Sequence, residues 1–294
     1  MDPEPTPGVA RRFLDEAGPR TRALRALRYV SYRAMHGGRE PWGWLTEKTE
    51  HFTRVGSATR CKVCGVSIRG PLGWVNRAVW GVVPLSKHPD LCSVCRIGER
   101  LLEVTVLFAD ARGFTQFAEG RPPDEVAATM NKMFDGCVNT LLEHDAIVDK
   151  LMGDAVMAVF GAPIIRPDHA QQAVAAATTI QRKAVELFPP EWRGACVRIG
   201  LNSGTAFVGR VGSGEIKDYT AVGDTVNVAQ RLQTEAEPGE VLMAESVYDS
   251  VRDAFPAAGR RVLTLKGREE PVVAYALTGG DSRDPRPASG SSGR

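Results

Sequence analysis

The chain lacks the marks of an exported or membrane-spanning protein. No apolar segment of signal-peptide type opens it, and no uninterrupted apolar run reaches membrane length. Cysteine is scarce, six in 294 residues, and four of the six fall into two closely spaced pairs, which argues against a disulfide scaffold. Neither sign of charge prevails, since 37 Lys and Arg against 35 Asp and Glu leave a formal net charge of +2. These absences predict a soluble cytoplasmic protein. A hydrophobic content of 43% suffices for a packed core, and the length suits one substantial domain plus a smaller module.

The near-zero charge hides an asymmetry. Residues 1–100 carry 17 Lys and Arg against 9 Asp and Glu, a net +8, whereas residues 101–294 carry 20 against 26, a net −6. The basic third suits an acidic regulatory partner, a nucleic acid or a membrane surface, or simply docks on the acidic remainder. Nothing in it requires nucleic acid. Residues 9–35 read as one or two helices broken near Gly18 and Pro19, with Leu24, Leu27 and Val30 on one face. The expected order is a helical arm and connector over 1–60, a cysteine-bounded module over 61–95, a short linker over 96–101, a larger domain over 102–278 and a disordered tail over 279–294.

Beyond the linker, Val104 to Ala109 reads as a strand, and a helix begins near Asp124. Val126, Met130, Met133, Phe134, Val138, Leu141 and Leu142 recur in it at helical intervals. Ile147 and Val148, a turn at Gly153, and Ala155 to Phe160 form a hairpin. A helix over His169 to Leu187 follows, then strands over Ala195 to Leu201 and Thr205 to Val211, with a turn at the glycines flanking Asn202. This order predicts an α+β class: a ferredoxin-like βαββαβ core with additional C-terminal strands, preceded by the small helical and cysteine-knuckle module.

Cys61 with Cys64 and Cys92 with Cys95 have knuckle spacing, and together they offer a tetrahedral four-sulfur set. Zinc leads, as a closed four-thiolate shell is structural; an iron–sulfur cluster is the alternative. His88 reads as an exposed loop histidine. Cys137 and Cys196, in apolar runs, read as small core residues, as Met152 and Met157 read as core fillers.

Asp110 ends the first strand of the acidic part, and Asp154 occupies the hairpin turn. Two carboxylates at strand ends make an oxygen site for magnesium or manganese on a phosphate substrate. Gly113 permits close approach of the following loop, whose backbone amides at Ala111, Gly113, Phe114 and Thr115 suit phosphate if a helix starts there. Phe114 reads as an anchor for that loop. Asn227 and Arg231 stand four apart, on one face of a helix expected to be capped by Asp224.

Three stretches, Phe108 to Thr115, Asp149 to Val156 and Tyr219 to Leu232, resemble the class III nucleotidyl cyclase catalytic domain over about residues 102–278. The resemblance implies ATP conversion to 3′,5′-cyclic AMP and pyrophosphate in a homodimer with two composite sites. It assigns Asp110 and Asp154 to two magnesium or manganese ions, Arg198 to the nucleotide phosphates, and Lys150 with Thr220 to adenine. It also assigns Asn227 to the ribose and Arg231 to charge on the α-phosphate. Threonine at 220 departs from the aspartate of many family adenylyl cyclases and resembles a bacterial variant. Asn202 matches a position often held by histidine and is given no catalytic part. The alternatives are a guanylyl cyclase, a catalytically silent ATP-binding regulatory module, and a metal-dependent nucleic-acid-binding protein.

Overall fold

A computed structural model describes residues 61, 66–85, 87–93, 100–163, 165–188, 192, 196–213, 216–256 and 258–278. The expected amino-terminal helices, the tail, Cys64 and Cys95 lie outside the described residues. Two compact units divide the chain: Met1–Pro84 with Asp90–Ser93, and Leu85–Pro89 with Val94–Arg294. Two short strands, β1 (Pro84–Leu85) and β2 (His88–Cys92), lie where the chain passes between them.

In the smaller unit, helix α1 (Gly70–Trp80) begins with a proline in its first turn, where a missing N–H costs nothing. It stops at Gly81, whose φ of 66° lets its N–H return to Arg77 O. Cys61 and Cys92, one from each pair, are both buried, and the Cys92 N–H donates to Cys61 Sγ at 3.3 Å.

The larger unit begins its sheet with β3 (Arg100–Ala111). Helices α2 (Phe114–Ala118) and α3 (Pro123–Glu143) lead to β4 (Ile147–Met152), β5 (Ala155–Phe160) and α4 (His169–Leu187). Strand β6 (Val197–Ser213) completes βαββαβ, and the antiparallel order β4-β5-β3-β6 is the ferredoxin-like arrangement expected. Strand β7 (Ile216–Val222), helix α5 (Asp224–Glu235), β8 (Val241–Ala244), helix α6 (Glu245–Tyr248), β9 (Gly259–Leu263) and β10 (Val272–Leu277) extend it. Among the described residues no helix is long and apolar enough to cross a membrane.

The two-residue period of β3 sorts its side chains into two cores. Leu107, Ala109 and Ala111 join Met133, Cys137 and Leu141 of α3 and the alanine-rich face of α4. Val104, Val106 and Phe108 join Ile147, Met157 and Val159 and, from the β6–β7 arm, Ala206, Val208, Tyr219 and Ala221. The arm therefore curls back over the sheet. Each such fully buried large side chain stabilises the fold by about 1.5–3 kcal/mol.

The two expected strands of residues 195–211 are one continuous strand, β6. Its glycines serve helix packing rather than a turn: a Cβ on Gly200 would lie 2.2 Å from Gln233 N and 2.3 Å from Ala229 O. Helix α5 lies directly on the strand there, and Asn202 Nδ2 donates to Thr225 O at 3.0 Å to hold it. Three smaller expectations also change. His88 is fully buried rather than exposed, Met152 is exposed rather than core, and Cys196 is only half-buried. Cys137 is a core residue, and burial pushes its thiol up to about 12.

Candidate active site

The period of β3 carries Asp110 to the face of Val106 and Phe108, opposite Ala155 of β5 and Arg198 of β6. Asp154 sits in the β4–β5 turn after Gly153, whose φ is 60°. The Ala111 N–H donates to Asp154 O at 3.2 Å and ties that turn to the end of β3. Arg198 Nη2 donates to Asp110 Oδ2 at 2.5 Å, and its Nη1 reaches Thr234 O at 3.4 Å. Burial first, then the Asp110 charge, pushes the Asp154 carboxyl above its ordinary value, against a backbone hydrogen bond and Arg198.

Two hard carboxylates that repel one another fit a magnesium or manganese ion, which takes one or two carboxylates and completes its shell with water and phosphate. Among the described residues no cluster of three or more acidic, histidine or cysteine side chains that could hold a metal ion is present.

The loop after Asp110 is pinned from a direction the sequence did not suggest. Trp192 Nε1 donates to Arg112 O at 3.1 Å, and the indole stacks on Phe117 at 4.6 Å and meets Phe114 at 5.9 Å. Phe114 thus anchors the loop. Gly113 adopts φ 83° as α2 begins, and a Cβ there would come within 3.3 Å of the indole nitrogen. The first turn leaves the amides of Phe114 and Thr115 without intrahelical acceptors. The Ala111 amide, spent on Asp154, is no longer a phosphate donor.

A second cluster gathers at β4 and β7. A register shift between Val148 and Lys150 inserts a bulge, so that Ile147 and Lys150, three residues apart, oppose Val159 and Met157 of the same core. Lys150 Nζ thereby reaches Thr220 Oγ1 at 2.8 Å and Asp218 Oδ2 at 2.9 Å. Lys87 and Asp149 complete the cluster, and sequence reasoning assigned neither to a site. Burial acts against the Asp218 charge, but Lys87 and Lys150 outweigh it and hold that carboxyl below its ordinary value. Of the two, Asp149 had a faint signal in its place beside Lys150; Lys87 had none.

Helix α5 buries Thr225, Val228, Ala229, Leu232 and Gln233, which leaves Asn227 and Arg231 together on another face. Its N-cap is Gly223, and Asp224 occupies the first turn without a capping bond, paired instead with Arg268. Among the described residues, the side chains of Asn227 and Arg231 make no hydrogen bond or ion pair, though the Arg231 guanidinium lies against the Gly267 turn. The structure brings Asp110, Asp154 and Arg198 together, and Lys150 with Thr220. It leaves Asn227 and Arg231 presented outward.

Residues 98–279 match the family model for the adenylate and guanylate cyclase catalytic domain. Adenylate cyclase 1 of Rhizobium meliloti is 34% identical over 187 residues, 60% of this chain and 28% of that protein. The adenylyl cyclase CyaB from P. aeruginosa aligns with a TM-score of 0.58 and 29% identity, over 64% of this chain and 98% of that one. The guanylyl cyclase Cya2 aligns with a TM-score of 0.57 and 29% identity, over 61% and 93%. The chain spans 28–39% of the length of the curated relatives it matches. Adenylyl and guanylyl cyclases are equally near in fold, so the base must be argued from side chains.

Proposed function

The chain belongs to the adenylate and guanylate cyclase catalytic-domain family, and we propose that it is an adenylyl cyclase converting ATP to 3′,5′-cyclic AMP and pyrophosphate. The observation that carries this reading is the Lys150–Thr220 pair at 2.8 Å. An ammonium donor suits adenine N1, and a neighbouring hydroxyl oxygen suits the exocyclic amine.

In the reaction the ribose 3′-hydroxyl loses its proton to water, its oxygen bonds to the α-phosphorus, and the bond from the α-phosphorus to the bridging β-phosphate oxygen breaks to release pyrophosphate. Asp110 and Asp154 would hold two magnesium or manganese ions, which when bound stabilise charge on the attacking oxygen and the leaving phosphates. Gly113, Phe114 and Thr115 line the phosphate end, and Arg198, already beside Asp110, meets triphosphate oxygens entering there. Arg231 stabilises charge growing on the α-phosphate through the planar donor fork of its guanidinium, and Asn227 orients the ribose.

The outward face of Asn227 and Arg231 supports a homodimer with two composite sites. Each site takes Asp110, Asp154 and Arg198 from one protomer and Lys150, Thr220, Asn227 and Arg231 from the other. The amino-terminal module is read as a zinc knuckle of Cys61, Cys64, Cys92 and Cys95, with iron–sulfur as the alternative; the Cys92 amide on Cys61 Sγ supports joining the two pairs. A cytoplasmic location follows from ATP as substrate.

The test is turnover by the purified full chain with ATP and GTP, in Mg2+ and Mn2+, detecting cyclic product and pyrophosphate. Cyclic AMP as the main product is expected. Preference for GTP overturns the base assignment, and nucleotide binding without cyclic product favours an ATP-binding regulatory module. Elemental analysis decides between zinc and iron.

A further inference from the structure

A purine site built on a hydroxyl has an ambiguity, because a hydroxyl both donates and accepts. Where adenine presents a donor amine, guanine presents an acceptor oxygen. A freely turning Thr220 would satisfy either base.

Here the hydroxyl does not turn freely. Thr220 Oγ1 donates its one proton to Asp149 Oδ2 at 2.5 Å, while Lys150 Nζ donates into the same threonine oxygen. What remains of Thr220 can only accept. Asp149 is held in turn: its side chain is 2% exposed, and its other oxygen, Oδ1, receives Lys87 Nζ at 2.7 Å. Lys87 also donates to Tyr219 O at 2.5 Å and pairs with Asp218 Oδ1 at 2.8 Å, which fixes the ammonium on that side of the carboxylate. Lys87 precedes the family-matched span of 98–279.

We propose that Asp149, oriented by Lys87, is a positioning residue for purine choice: it accepts the Thr220 hydroxyl hydrogen bond, so that the threonine oxygen faces the base as an acceptor that admits the adenine amine and rejects the guanine oxygen. The proposal rests on the reading of Lys150 and Thr220 as the base-contacting pair. Asp149 touches no substrate and acts only through Thr220.

Asp149→Asn tests it with almost no change of shape. Lys87 and Lys150 both have only hydrogens to give, and Lys87 is the nearer, 2.7 Å from Oδ1 against 3.5 Å from Lys150 to Oδ2, so the new amide keeps its oxygen toward Lys87 and turns its NH2 toward Thr220. The amide then donates to Thr220, whose proton turns away from residue 149 and toward the base, in preference to the long 3.4 Å contact with Ala221 O. The expected result is a fall of about tenfold in the ATP:GTP ratio of kcat/KM, the scale of one hydrogen bond, carried mainly by KM. Lys87→Met combined with Asp149→Asn frees the amide to flip and restores most of the ratio. In a Thr220→Val background, Asp149→Asn changes the ratio no further.

The same ratios are read by equilibrium competition of ATP and GTP against a fluorescent nucleotide, which needs no turnover. If Thr220→Val leaves the ratio unchanged, the base-contact reading fails. If Thr220→Val shifts the ratio and Asp149→Asn does not, this proposal fails alone. Equal loss with both nucleotides, or a lowered Tm with the ratio intact, makes Asp149 a purely structural ion-pair residue and overturns the proposal.

Discussion

The two ends of the β4–β5 hairpin are wired in opposite ways. At Lys150 the protomer supplies its own partners: Thr220 and Asp218 for that lysine, and Asp149 and Lys87 behind them. At Asp154, four residues on, two carboxylates repel one another beside a single arginine. The first end is preorganised, so under the proposed base-contacting role it would discriminate without reordering when a base arrives. The second is left short of positive charge, which under the proposed function cations and phosphate would complete. The side chains of Asn227 and Arg231 likewise have no hydrogen-bond or ion-pair partner among the described residues, and the proposed composite site groups them with this second, incomplete kind.

The sharpest break in that contrast comes from the incomplete end. Asp110→Ala or Asp154→Ala is expected to lower turnover by at least about 10³-fold, since several kcal/mol of charge stabilisation disappear with the cation site. The ATP:GTP competition ratio should hold. Mixing Asp110→Ala with Arg231→Ala protein should restore up to one working site per heterodimer; no recovery in verified mixed dimers would reject composite sites. Arg231→Ala alone should cost about 10²–10³ in kcat with little change in KM, measured by initial rates.

A smaller effect is expected where both ends share a support. Gly200→Ala drives a Cβ into the α5 backbone, and the overpacking should destabilise the protein by about 1–3 kcal/mol, seen as a lower Tm. Activity should fall with stability while purine choice survives. If purine choice changed instead, the two ends would be coupled through α5.

The smallest effect serves as a control on the α4 side of the sheet. His169 bonds to Thr105 at 2.7 Å, and burial holds its imidazole below its ordinary 6.5, against the raising influence of Glu103 and Asp168. A depressed histidine is neutral in the fold. Its contribution to stability is therefore present above the unfolded value of about 6.5 and is lost as pH falls toward the folded value. Thermal unfolding should show a modest loss of Tm below pH 6.5 that His169→Gln removes, with no effect on the ATP:GTP ratio.

Much of this was legible from residue order, for reasons of periodicity. The helix over His169 to Leu187 and the hairpin around Asp154 follow from local apolar spacing and one glycine turn. Asp110 was visible as the charge that ends an apolar strand. Other features were not legible because glycine carries two meanings. Gly200 and Gly204 suggested a turn, but they lie within β6, and the helix that needs Gly200 bare comes about thirty residues later. The burial of His88, the pinning of the Arg112 loop by Trp192 and the capture of Arg198 by Asp110 likewise depend on residues distant in sequence.

The order of elements and the chemical types at each position were set by the chain alone, because 3.6-residue and two-residue periods and the charge of a side chain are local properties. Which oxygen accepts the Thr220 hydrogen bond was not. That depends on a bulge at Asp149, an arm folded over the sheet and a lysine 62 residues before Asp149. A hydroxyl has no fixed polarity until a neighbour takes its hydrogen, and only the tertiary structure supplies that neighbour.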